Sequence, residues 1–167
     1  IGDVLPWVRT SRTLEVVVGS GNGLGSDSDM APYFLEALEL ADVDTDFSLY
    51  DNDGPDNVPN SGDDDGYVDA MTFEFLEIPG SCPGPSIWPH RWGIAAQNDG
   101  QPFTTNDARP NGGFVQVDGY IVQGVTDCEG LNVQSANVIA HEYGHVLGLP
   151  DFYHPTASGG AAGRRWV

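Results

Sequence analysis

The sequence predicts one α/β (α+β) domain built on a mixed sheet. Apolar runs of strand length and apolar patterns of helical period follow one another as strand, helix, strand, loop, strand, helix. No domain-scale repeat and no linker divides the 167 residues. Hydrophobic residues make up 40% of the chain, with four Trp, six Tyr and seven Phe spread along it, enough for a packed core.

The elements follow in order. Leu14 to Val18 is a short β-branched run and is expected as a strand. A Gly- and Ser-rich loop, residues 19–28, leads to Asp29, the expected N-cap of a helix over residues 30–40 with Phe34, Leu35, Leu38 and Leu40 on its apolar side. Residues 51–66 lack hydrophobic periodicity and form a polar turn region. Tyr67 to Ile78 alternates and is expected as a strand. Residues 79–112, rich in Pro, Gly, Asn and aromatics, form a long loop, and long loops in compact domains tend to be functional. Residues 113–123 form a strand or hairpin. Ser135 is the expected N-cap of a last helix that runs to about Leu147, with Gly148 closing it and Pro150 preventing continuation.

Charge narrows the function. Asp and Glu total 25 against six basic residues, all Arg, for a net charge of −19. Such a surface repels nucleic acid and anionic membranes and attracts cations, calcium foremost. A solubility or salt adaptation explains part of the excess, but not why seven Asp fall between Asp51 and Asp69. No stretch is long and apolar enough to insert in a membrane. The chain begins at Ile1 and ends at Arg164-Arg165-Trp166-Val167, which reads as a processed or trimmed piece of a longer precursor, incomplete at both ends. Cys82 and Cys128 form no CxxC pair, so a thiolate zinc site is not expected. One disulfide between them fits a secreted, extracellular protein; two buried free thiols are the alternative.

The last helix carries the chemistry. In His141-Glu142-Tyr143-Gly144-His145 the two His are four apart, so both imidazoles share one helix face and can bind one zinc ion. Glu142 sits beside them as general base for a metal-activated water that attacks a peptide carbonyl. A turn at Gly148 folds the chain back, so Asp151 can supply the third ligand. Asp151 could instead cap a turn or orient another ligand, and His154 competes for the third position. Two structural His and a surface Glu are the alternative for the whole motif.

Two further segments stand out. Asp51-Asn52-Asp53-Gly54 and Asp63-Asp64-Asp65-Gly66-Tyr67-Val68-Asp69 repeat carboxylates at every second position before a Gly. Asp51, Asp53, Asp63, Asp65 and Asp69, with Asn52, Asn60 and the Tyr67 carbonyl, can supply the six to eight oxygens that calcium takes. Neither half matches an EF-hand, so one or two calcium sites of another kind are expected; a solvated acidic loop is the alternative. Trp88, His90, Arg91 and Trp92 lie in the long loop, where packing of the loop on the sheet is favoured over lining a substrate subsite.

At these residues the chain resembles the immune inhibitor A family of secreted bacterial zinc peptidases. That family's motif is His-Glu-x-x-His-x-x-Gly-x-x-Asp, and every fixed position is present from His141 to Asp151. Ser48-Leu49-Tyr50-Asp51-Asn52-Asp53-Gly54 is similar to its acidic turn, and Ile87-Trp88-Pro89-His90-Arg91-Trp92 to its Trp-x-His-Arg-Trp segment. The resemblance runs from about residue 27 to residue 153. It implies a zincin-type catalytic domain with a twisted mixed sheet, an active-site helix beneath a cleft, structural calcium, secretion as a precursor and protein substrates. Two features depart from it. Zincins of this kind carry a Met-containing turn downstream of the motif, whereas the only Met here are Met30 and Met71. Other zincins take a third ligand from farther downstream.

The expected function is therefore a secreted zinc endopeptidase with Zn2+ and Ca2+ as cofactors. It acts on protein or peptide substrates and can contact other parts of its own precursor. A non-catalytic, calcium-stabilised scaffold or adhesive module derived from a protease fold is the alternative. An intact Glu142 argues against that alternative, because a scaffold needs no general base.

Overall fold

The computed structural model describes residues 2–150, so Asp151 and His154 lie outside the described residues. The first element corrects the expectation. Leu14–Val18 is a helix, α1, not a strand. The amides of Val16 and Val17 both donate to the Thr13 carbonyl at 3.1 Å, and Val17 and Val18 are buried against the next helix. Helical Val costs at most about 0.7 kcal/mol relative to Ala, while burying its side chain is worth about 1.5 kcal/mol or more, so packing decides.

The second helix, α2 (Met30–Ala41), matches its predicted span closely. Met30, Ala31, Phe34 and Leu38 are buried and Leu35 packs on the core, but Leu40 is exposed. Asp29 holds the N-cap position without capping through its side chain, which pairs instead with Arg12.

A three-stranded mixed sheet carries the molecule, with the strand Gly119–Gly124 between Met71–Phe75 and His90–Gly93. β1 (Met71–Phe75) runs parallel to β5 (Gly119–Gly124), and β2 (His90–Gly93) runs antiparallel to β5. β1 is shorter than the predicted strand over 67–78, because Tyr67 and Val68 bridge to Gln116 instead. The central strand β5 is buried from Tyr120 to Gly124, as expected for a strand covered on both faces. The segment expected as a loop over 79–112 contains β2 and also β3 (Phe103–Ala108), which pairs with β4 (Phe114–Val117) in a separate antiparallel ribbon. Polar residues hid β3, whose buried positions are Phe103 and Thr105.

Phe34 joins α2 to the sheet, its ring centroid 4.3 Å from Phe73 and 4.4 Å from Tyr120. Val17, Val18, Met30, Leu38, Phe47, Val115, Val117 and Val122 are among the other members of this core. The last helix, α3 (Asn137–Val146), lies beside β5 and β2. It starts after Ala136, and Ser135 does not cap it. Gly148 ends it as expected, at φ +80°. Cys82 and Cys128 form a disulfide, with Cα atoms 5.5 Å apart, between the segments that follow β1 and β5. The mixed α/β architecture is the predicted fold class.

Candidate active site

Helical spacing brings the two motif imidazoles together. The rings of His141 and His145 lie 4.9 Å apart, centroid to centroid, with their planes at 81°. Two rings on one helix face at this distance can direct nitrogens at a common point. The turn after α3 orients one of them. Gly148 in the left-handed region lets the Leu149 amide return to the Gly144 carbonyl at 2.9 Å. That places the Leu149 carbonyl 2.8 Å from His145 Nδ1. A carbonyl only accepts, so Nδ1 carries the proton and Nε2 carries the lone pair in the neutral ring. Orienting contacts of this kind accompany metal-ligating His. Glu142, on the same helix, is buried at 8% exposure.

These three side chains line an open cleft of about 670 Å³. Trp88, Pro89, His90, Arg91 and Trp92 also line it, as do Ala31 and Pro32 of α2. The aromatic segment thus borders the cleft, beyond the packing role expected for it. It also packs: His90 Nδ1 donates to the Trp88 carbonyl at 2.6 Å, and Nε2 accepts from the Tyr120 hydroxyl at 3.1 Å. Burial pushes the His90 pKa below its ordinary 6.5, so the neutral ring is favoured. Gln97 donates to the same hydroxyl at 3.4 Å. No motif marks Tyr120 or Gln97 in the sequence; only their neighbours in space reveal them.

The acidic turns converge in part. Carboxylate oxygens of Asp51, Asp53 and Asp69 lie within 4.8 Å of one another, and Asp51 is 1% exposed. Burial pushes the pKa values of Asp51 and Asp69 up, and neighbouring carboxylates add to the effect. Asp63 stands outside this group and takes a hydrogen bond from the Ser61 hydroxyl, while Asp65 accepts the Tyr67 amide at 2.8 Å. Asp64, which alternate spacing passed over, is a loop organiser: its carboxylate accepts the Gly54 and Ser61 amides, each at 2.7 Å. Gly66 suits its place because its φ of +90° is a conformation L side chains rarely adopt, and a Cβ there would also displace the Arg109 guanidinium. The side-chain oxygens of Asn52 and Asn60 are buried without a hydrogen-bond partner among the described residues.

Comparison with known proteins gives this arrangement its context. The immune inhibitor A peptidase M6 catalytic domain matches residues 2–166. The chain is 28% identical over 169 residues to the pre-pro-metalloprotease PrtV of Vibrio cholerae serotype O1, an alignment covering 95% of this chain and 18% of that protein. It is 29% identical over 133 residues to immune inhibitor A of Bacillus thuringiensis subsp. alesti, covering 73% of this chain and 17% of the relative. It therefore spans less than a fifth of the length of the curated relatives it matches. With the family model matched over nearly its whole length, the chain belongs to the immune inhibitor A (M6) metallopeptidases, within their catalytic domain.

Proposed function

We propose that this chain is the peptide-bond-cleaving part of a secreted zinc endopeptidase. The observation that carries the reading is the pair of imidazoles on one face of α3, 4.9 Å apart, with His145 Nδ1 held by a backbone carbonyl. His141 and His145 would hold the zinc ion, and Asp151 would complete the set of three protein ligands. When bound, zinc acts as a Lewis acid and lowers the pKa of water to about 7. Glu142 takes the proton of the attacking water on its carboxylate and returns it to the leaving amine. Its burial beside the cleft shields that transfer from bulk solvent. The substrate lies extended along β2, an edge strand of its sheet whose residues border the cleft.

Calcium is the second proposed ion, held by Asp51, Asp53 and Asp69. The orphaned oxygens of Asn52 and Asn60 fit it, since both suit a hard cation. Secretion is proposed because the Cys82–Cys128 disulfide suits an oxidising compartment. No described helix is long and apolar enough to cross a membrane.

The test is Glu142→Gln in the full-length protein. Zinc should remain near one ion per chain, and casein hydrolysis should fall by about 10²–10⁴-fold. A variant that cleaves at the parent rate would overturn the role of Glu142. Parent protein that holds no zinc and is indifferent to a zinc chelator would overturn the whole reading.

A further inference from the structure

We infer that His90 is a positioning residue that fixes the substrate-facing wall of the cleft through Trp88 and Tyr120; the inference rests on the protease reading above.

β2 needs such a device. It is only four residues long and pairs with β5 along one edge alone, in the register His90 to Val122 and Trp92 to Tyr120. A strand this short, with three consecutive residues of its length bordering an open cleft, has few ladder bonds to resist displacement. The His90 ring supplies two further ties in different directions. One runs back along its own segment to the Trp88 carbonyl, and the other runs diagonally across the ladder to the Tyr120 hydroxyl.

The direction of every proton in this chain of bonds is determined. The Trp88 carbonyl accepts only, so His90 Nδ1 donates. His90 Nε2 in the neutral ring then accepts, so the Tyr120 hydroxyl donates. The Tyr120 oxygen in turn accepts from the Gln97 amide. With both ring nitrogens engaged this way, His90 offers no proton to a substrate, which separates it from a catalytic acid or base. Tyr120 is itself immobile: it is 1% exposed and its ring meets Phe34 of α2 at 4.4 Å. The network thus ties the wall at Trp88–Trp92 to the core that Tyr120 and Phe34 share.

The consequence is a specificity effect on binding and not on chemistry. A loosened wall should weaken substrates long enough to reach β2 and spare those that occupy only the reacting centre. The variants are His90→Phe, which deletes both bonds, His90→Gln, which can remake them, and Tyr120→Phe, which removes one hydroxyl and keeps the ring. Zinc content, kcat and KM are measured on the full-length protein with a long peptide and a short blocked peptide.

His90→Phe is expected to raise KM for the long peptide about tenfold, the loss that one or two broken buried hydrogen bonds gives, with kcat and zinc within about twofold of the parent. Tyr120→Phe should show a smaller rise, His90→Gln should recover part of the loss, and the double variant His90→Phe, Tyr120→Phe should be no worse than His90→Phe. A fall in kcat at constant KM, a loss of zinc in proportion to activity, equal effects on both peptides, or no change in KM would each overturn the inference. Zinc-loaded parent protein that cleaves neither peptide would overturn the protease reading instead, and the inference with it.

Discussion

The imidazole of His145 has two nitrogens with different tasks, and a backbone carbonyl assigns them. Leu149 O reaches His145 Nδ1 only because Gly148 adopts φ +80°. Gly148→Ala meets no atom of the described residues within 4 Å of its new Cβ, so its cost is conformational, about 1–2 kcal/mol. The larger effect should fall on the metal: displacing an orienting contact typically lowers metal affinity about 10–100-fold. Competition with a chromogenic zinc chelator measures it, and unchanged affinity would remove the Leu149 carbonyl from the site's design. A second residue-scale expectation concerns Glu74 on β1. Burial raises its pKa above the ordinary 4.5, while a bond from Gln123 at 2.8 Å opposes the shift. A carboxyl raised on folding binds protons more tightly in the native state, so it costs stability as pH rises from about 4.5 through the raised value. Glu74→Gln should therefore melt above the parent at pH 7, and the difference should shrink as pH falls towards 4.5. Thermal scans at several pH values decide it. At this scale the candidate site was legible where chemistry is written as spacing, in His141, Glu142 and His145, which line one cleft. It was illegible where partners meet only across the sheet, as Tyr120 meets His90.

Elements follow the same division between local pattern and tertiary placement. α2 and α3 were legible because a helical apolar period and a terminal glycine are local signals. α1 was not, since Leu14-Glu15-Val16-Val17-Val18 has strand composition and becomes a helix only by packing Val17 and Val18 on α2. β2 and β3 were lost in a long polar stretch, because one strand borders a cleft and the other lies in a two-stranded ribbon with little apolar content. The sheet depends on Phe34 as the contact between α2 and Phe73 and Tyr120. Phe34→Ala should cost about 3–5 kcal/mol in urea unfolding. A cost under 1 kcal/mol would mean that Phe34 is not a principal contact between α2 and the sheet. The disulfide acts on the segment between β5 and α3. It spans a sequence separation of 46, for which loop closure predicts about 4 kcal/mol. The paired Cys82→Ala, Cys128→Ala variant measures that figure directly.

For the molecule as a whole, a net charge of −19 opposes compaction everywhere, and the acidic turns concentrate it. Two remedies are physically distinct. Monovalent salt screens exposed charges over about 8–10 Å and treats all carboxylates alike. A calcium ion at Asp51, Asp53 and Asp69 removes charge at one point, where burial has already raised two of the three pKa values. The remedies therefore predict different dose responses. A calcium chelator should lower the melting temperature at pH 7. Free calcium at about 100 times its Kd should restore about 2.7 kcal/mol, or roughly 5–10 °C for a domain of this size. Sodium chloride at matched ionic strength should recover only the part due to general repulsion. Asp51→Asn, Asp69→Asn removes two carboxylates, so it should respond to sodium chloride as the parent does yet lose its response to calcium. If sodium and calcium act equally on the parent at matched ionic strength, the acidic turns are a diffuse charge and not an ion site. If the calcium response persists in the double variant, the ion sits elsewhere on the acidic surface.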